Sequence, residues 1–229
     1  HFMQTPRQHS NDFLADALRS EAIKLGLEIP DHAIPHLATY AASLWDWNTR
    51  LNLTRHTDVQ QFVERDITDT AALCPYINTN DHILDVGTGG GVPGVILAIL
   101  RNDLTVELSD TTTKRVAALQ SILNEVGLPL KIHHKPAQQV VLTAIENNLP
   151  FHSLVIRAVA PLRKLLTWFE PISDSYGRLL IIKGPRWELE KQEARHHGLL
   201  KTVTARRIAS WPIPHSDTES VLLEIKKRT

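Results

Sequence analysis

The stretch "ILDVGTGGGVPGVILAI", residues 83–99, decides the fold. It holds a short apolar run around Asp85, five glycines within eight residues, and a second apolar run. Half of the chain's ten glycines stand here. An ordered glycine costs backbone entropy, so such a cluster needs a reason, and close approach of another molecule to the backbone is one. "ILDV" reads as a buried strand, and "VPGVILAIL" opens a helix with Pro93 suited to its first turn. Gly87, Gly89, Gly90, Gly91 and Gly94 therefore fall in a strand-to-helix turn at the carboxyl edge of a parallel sheet, where open α/β sheets bind ligands. The alternative is a tight turn serving only helix–strand packing.

Working outward, the sequence alternates short apolar strands with helical segments from Asp81 onward. The strands are "HILDV" (82–86), "LTVELSD" (104–110), "LKIHH" (130–134), "HSLVIRAV" (152–159) and "GRLLIIKG" (177–184), each followed by a helix-like segment. Five such pairs predict a parallel sheet with helices on both faces. "KTVTARRIAS" and "ESVLLEIKK" then read as two strands with no helix between them, which predicts an antiparallel C-terminal strand. Before residue 79 the pattern is helical. One helix is expected from a cap at Ser10 or Asn11 to a stop at Gly26, and others over 30–51 and 57–77, the last ended by Pro75. The expected class is α/β with a Rossmann-like sheet, divided into an N-terminus without order (1–9), a helical cap (10–78) and a ligand-binding domain (79–229). Met3 is the only methionine, so it is the expected native start, with His1 and Phe2 a cloning remnant.

Composition sets bounds on function. Hydrophobic residues make up 42% of the 229, enough for a real core and too many for disorder. No apolar run approaches the roughly 20 residues of a membrane span. The N-terminus lacks the apolar centre of a signal peptide, and a single cysteine, Cys74, fits a reducing cytoplasm. Net charge is zero but uneven. Residues 163–229 hold 13 Lys+Arg against 8 Asp+Glu, and residues 1–162 hold 12 against 17. A basic C-terminal third gives weak support to a polyanionic partner.

Two acids sharpen the ligand. Asp110 ends the second strand, 23 residues after Gly87, where a carboxylate can accept from ribose hydroxyls or cap the next helix. Asp85 precedes the first glycine and brings negative charge where a pyrophosphate would sit. A zwitterionic ligand with an ammonium group fits better, and S-adenosyl-L-methionine is one. Asp-x-Gly-x-Gly-x-Gly with an acid after the second strand resembles the class I methyltransferase loop.

Further stretches narrow the resemblance: "LWDWNTRLNLT" (44–54), "RDITDTAALCPYI" (65–77), "LSDTTTKRVAAL" (108–119), "IRAVAPLRKLL" (156–166) and "LLIIKG" (179–184). With the glycine loop they are similar to the bacterial small-subunit rRNA guanine-N7 methyltransferase family, RsmG or GidB, over residues 35–227. The resemblance implies a cytoplasmic, S-adenosyl-L-methionine-dependent enzyme, and a monomer is expected. Its implied substrate is 16S rRNA, in the small subunit or free, and its target is guanine 527 in the decoding-region loop. It implies cofactor contacts at Gly87, Val92, Ala137, Gln138 and Arg157, to which the residue reading adds Asp85, Gly89 and Asp110. Two positions depart from the family pattern: Asp66 stands where a histidine is usual, on the RNA side, and Gln138 where an acid is common.

Guanine N7 carries a lone pair and no proton, so methyl transfer to it needs alignment rather than a general base. None of the twelve histidines is therefore assigned a catalytic role, and His133, His134, His196 and His197 are expected at exposed element ends. The scattered His and Cys positions give no metal-site spacing. Arg157 and Lys183 end the fourth and fifth strands and are expected over the cofactor edge, positioning substrate unless surface salt bridges claim them. Trp45 and Trp47 cannot share one helix face. Trp187 either stacks on an RNA base or packs the fifth helix. Three other readings stay open: a methyltransferase of this fold acting on another RNA, a nicotinamide-dependent oxidoreductase, and an inactive RNA-binding relative.

Overall fold

Strict alternation of side chains along the central strands divides the core into two layers, and that division sets the rest of the architecture. The computed structural model describes residues 6–228. Seven strands form one sheet in the order β3-β2-β1-β4-β5-β7-β6. They are β1 (His82–Val86), β2 (Thr105–Ser109), β3 (Lys131–His133), β4 (Phe151–Arg157), β5 (Tyr176–Lys183), β6 (Val203–Pro212) and β7 (Glu219–Lys227). The first five pair in parallel. β7 inserts between β5 and β6 and runs antiparallel to both. The sheet reverses direction there because no crossover helix separates β6 from β7.

Ile83 and Val155 face one layer, with α1 (Pro6–Lys24), α2 (Ala33–Asn48), α5 (Gly94–Leu100) and α6 (Thr113–Val126). Leu84 and Ile156 face the other, with α7 (Ala137–Glu146), α8 (Leu162–Phe169) and α9 (Trp187–His196). The N-terminal helices are not an appendage to this core. Leu18, Leu37, Tyr40, Leu44 and Phe62 are fully buried in the same apolar cluster as Ile83 and Leu108.

Two expectations for the N-terminal segment change. Residues 1–5 lie outside the described residues, and α1 already begins at Pro6, so Ser10 and Asn11 sit within the helix instead of capping it. Asn11 uses its amide to donate to Thr39 Oγ1 on α2 (3.4 Å). The helix expected over 57–77 is also interrupted. α3 (Val59–Gln61) widens into a π-helical stretch, Phe62–Ile67, before α4 (Thr68–Leu73). Asp58 caps its start by accepting from Gln61 N, and the Thr68 hydroxyl donates to the Val63 carbonyl five residues back. Such widened turns insert a residue into a helix and commonly sit at functional sites.

Tyr40 joins the N-terminal layer to the glycine turn. Its ring is fully buried on α2, and its hydroxyl donates to the Gly90 carbonyl at 2.8 Å. Tyr40→Phe leaves that buried carbonyl without its partner and is expected to cost about 1–3 kcal/mol in urea unfolding. An unchanged unfolding midpoint would show that the bond does not hold the layers together.

Candidate active site

The glycine turn follows β1 at the carboxyl edge of the parallel strands, and the protein's own groups press on most of it. Asp85 is buried below it. Its Oδ2 accepts from the Thr88 hydroxyl (2.6 Å) and from the amide of Gly94 (2.8 Å), which opens α5. A Cβ at Gly94 would stand 2.5 Å from that same Oδ2 and from Leu108 Cδ2, so only glycine lets the helix start so close to the strand. Gly90 and Gly91 are pressed by Leu44, Leu53, Val95 and Tyr40, and Gly87 by Val159. Gly89 differs. With φ at +57° it has only the Gly87 carbonyl, at 3.9 Å, within reach of a Cβ. Packing therefore accounts for four of the five glycines, and Gly89 alone borders open space.

Around this turn the edge collects the other sequence-predicted residues. Asp110, buried at the end of β2, accepts from Gly89 N through Oδ2 (3.0 Å) and from Thr112 N through Oδ1 (2.8 Å). Each oxygen keeps a lone-pair site for a further donor. Thr112, not Asp110, is the N-cap residue of α6. Ala137 and Gln138 open α7 behind Pro136, Ala137 buried and Gln138 half-buried, while Val92 is half-buried in the turn itself. At the end of β4, Ala158 takes a left-handed backbone, φ +55°, between Arg157 and Val159. That conformation costs a non-glycine residue about 1–2 kcal/mol and persists only where its surroundings enforce it.

Arg157 and Lys183 reach the same edge from opposite faces of the sheet. Arg157 pairs in register with Ile182, so Lys183 lies one residue further on and projects from the opposite face. Lys183 meets Glu190 of α9 and the Ala160 carbonyl, both at 2.7 Å, and Glu190 also accepts from Leu162 N. This is the salt-bridge alternative, and it fixes the 158–162 loop. Arg157 points into the N-terminal layer, where Nη1 donates to Asp66 (2.6 Å) and Nε to Asp69 (2.9 Å). Burial works against the guanidinium charge, yet Asp66 and Asp69 outweigh it and hold the pKa above the ordinary value. Asp69 also accepts from the Trp211 indole on β6 (2.9 Å).

Asp66, which departs from the family pattern, is 1% exposed and belongs to this network. Its Oδ1 also bonds His56 Nδ1 at 2.8 Å, giving a carboxylate–imidazole pair that the sequence reading missed. The contact depends on the π-helical stretch, which leaves no periodic signal in sequence. His133 is likewise not an exposed strand end: it is half-buried and bonds Glu107 at 2.5 Å, as His82 does at 3.1 Å. Trp45 packs edge-on to Phe62 and donates to the His56 carbonyl, and Trp47 lies under Arg50. Among the described residues no group of three or more His, Cys, Asp or Glu could hold a metal. No described helix is long and apolar enough to cross a membrane.

The donor set fits a zwitterionic nucleoside. Asp85 Oδ1 is buried without a hydrogen-bond partner, Asp110 retains acceptor capacity, and a Cβ at Gly89 beside Asp110 would meet only the Gly87 carbonyl. Solved structures share the fold. A TrmK from M. capricolum, determined with S-adenosylhomocysteine, aligns with a TM-score of 0.51 at 16% identity, covering 70% of this chain and 68% of its own. TrmN from Thermus thermophilus aligns at 0.50 and 13% identity, over 71% of this chain and 49% of its own. The sheet order and its edge are those of the class I methyltransferase fold. The sequence profile described as rRNA small subunit methyltransferase G (GidB) matches residues 33–215, and the chain belongs to that family. A relative of that name from Rhodopirellula baltica is 39% identical over 190 residues, 83% of this chain and 80% of its own. Another from Salmonella arizonae is 30% identical over 201 residues, covering 88% and 92%.

Burial pushes the Asp85 carboxyl up to about 7, against the Thr88 and Gly94 bonds that favour the anion. The folded state then keeps a proton that the unfolded chain releases near 3.8, so this group makes stability fall as pH rises from about 4 to about 7. Asp103 and Glu107, held down at about 2, act below that window. Asp85→Asn is expected to flatten the decline in urea-unfolding stability between about pH 4 and 7, and an equally steep decline in the variant would assign it elsewhere.

Proposed function

We propose that this chain transfers a methyl group to N7 of a guanosine in the decoding-region loop of 16S rRNA, acting as a monomer in the cytoplasm. Bound S-adenosyl-L-methionine supplies an electrophilic methyl group. Asp110 accepts from the ribose hydroxyls, and Gly87, Gly89 and Val92 line the approach. Ala137 and Gln138 meet the adenine edge with backbone amides or the Gln138 side chain. Asp85 answers the ammonium end, directly or through water, while Arg157 carries positive charge to the rim, held by Asp66 and Asp69. Lys183 acts indirectly by fixing the loop that follows Arg157. The observation that carries the cofactor assignment is the Asp110–Gly89 bond beside the only glycine of the turn that borders open space.

N7 needs no proton removed, so the residues need only hold the base in line with the methyl group, a term worth up to about 7–11 kcal/mol. Single-turnover methylation at saturating S-adenosyl-L-methionine is expected to stay nearly flat from about pH 6 to 9. A rate rising tenfold per pH unit would require a base. His56, oriented by Asp66, would then be that base, and the acceptor would be a protonated atom instead of N7.

Asp110→Ala is expected to weaken S-adenosyl-L-methionine by about 1–3 kcal/mol in isothermal titration, the cost of charge-assisted hydrogen bonds. Unchanged affinity in the folded variant would leave Asp110 a purely structural tie between β2 and the turn. The function itself is tested by incubating the enzyme with small subunits lacking the modification and locating the new methyl group by mass spectrometry. Label on another base, or on protein, would overturn the assignment.

A further inference from the structure

The basic surplus of the C-terminal third is gathered in one place. A groove of about 450 Å³ runs between α9 and the edge strand β6, lined by Lys191, Arg195, Lys201, Arg206 and Arg228 and by no acidic residue. The neighbouring carboxylates are engaged elsewhere. Glu190 pairs with Lys183, Glu193 with Arg163, and Glu224 with Arg178 and Lys226. Among the described residues, the five lining cations have no carboxylate within ion-pair distance, and four of them are exposed. Two cations also flank an aromatic ring beside the groove: Lys191 and Arg207 stand 5.8 and 5.9 Å from the Trp187 ring centre. Holding five like charges side by side costs folding free energy through repulsion, which an anionic partner relieves.

The groove is not part of the cofactor edge. Lys183, at that edge, pairs with Val221 on β7, while Val203 at the start of β6 pairs with Lys227, six residues further along the same strand. At about 3.3 Å per residue this puts the far end of the groove roughly 20 Å along the strands from the level of Lys183, and β6 lies three strands, about 14 Å, across the sheet from β4. A phosphate chain seated there is too far away to be the target nucleotide, yet close enough to be continuous with it.

We propose that the α9–β6 groove is a second RNA-binding site, which grips the phosphate backbone of substrate RNA flanking the methylated nucleotide. The inference rests on the rRNA reading for the identity of the polyanion. The groove sets affinity and register, and the edge around Asp110 and Arg157 does the chemistry. Trp187 therefore serves as a packed platform for two of the cations, with one side against the core of the α8–α9 layer.

The test uses the full chain and a triple variant, Arg195→Gln, Lys201→Gln and Arg206→Gln, whose altered side chains are all exposed. Binding is read with a fluorescent 16S rRNA fragment spanning the target loop, over a series of salt concentrations, in parallel with methylation of small subunits. The variant is expected to bind the fragment at least tenfold more weakly near 0.1 M salt. Its plot of log affinity against log salt should be shallower by about 2, since each lost phosphate contact removes roughly 0.7–0.9 from the slope. KM for subunits should rise while kcat and S-adenosyl-L-methionine affinity stay as in the wild type. Equal binding and equal slope in the two proteins would overturn the proposal, as would displacement of the RNA by poly-glutamate at equal charge concentration, which marks a site for an acidic protein. A wild type that binds the fragment through these residues but methylates no subunit would overturn the rRNA methylation reading and leave the groove standing.

Discussion

The buried ion pairs of Arg157 hold the active edge together. β4 delivers the arginine to the edge of the sheet, and the π-helical stretch and α4 deliver Asp66 and Asp69 to meet it. Taking three charges out of water is expensive, and only the mutual attraction of well-placed partners offsets it. Removing one partner would strand the others, at a cost on the order of 3–5 kcal/mol. The network extends through Asp69 to Trp211 on β6 and through Asp66 to His56 before α3, so it joins segments from both ends of the chain. The guanidinium is set in the N-terminal layer by Asp66 and Asp69 rather than by its own flexible stem. The left-handed Ala158 next to it records the same constraint on the backbone.

Asp85 exerts the second constraint, and it explains the glycine cluster better than a ligand does. A carboxylate at the end of β1 that caps the start of α5 draws helix and strand closer than a Cβ would allow, hence Gly94. The turn between them is then covered by α2 through Tyr40 and Leu44, hence Gly90 and Gly91. The N-terminal helices thus act as the roof of the turn, and their burial in the sheet's own core is part of building the site. A substitution at Gly87 would strike Val159 before it struck any ligand, so loss of cofactor binding there would not by itself report on ligand contact.

The sheet was legible in the sequence because parallel central strands are buried on both faces and read as short apolar runs between helical ones. β1 and β7 match their expected bounds residue for residue, and the helix-free link between the last two strands announced the antiparallel β7. Most of the missing features depend on contacts distant in sequence. Asp66 and Arg157 are 91 residues apart, and no local pattern announces their contact. The one-residue offset that sends Lys183 to the opposite face from Arg157 appears only when the register of β4 against β5 is known. The π-helical stretch hides in sequence because its apolar residues still satisfy an ordinary helical period.

These constraints also divide the labour of the site. An acceptor that reacts through a free lone pair asks for geometry and charge, and both are supplied here by groups locked in place before any ligand arrives. Asp110 is tied to Gly89 and Thr112, and Arg157 to Asp66 and Asp69. Preorganised groups of this kind cost nothing to orient at the moment of reaction. The side chain best arranged to move a proton, His56 against Asp66, shares its carboxylate oxygen with Arg157. A histidine committed in this way stiffens the arginine's support, in keeping with the proposed transfer to a lone pair that needs no base.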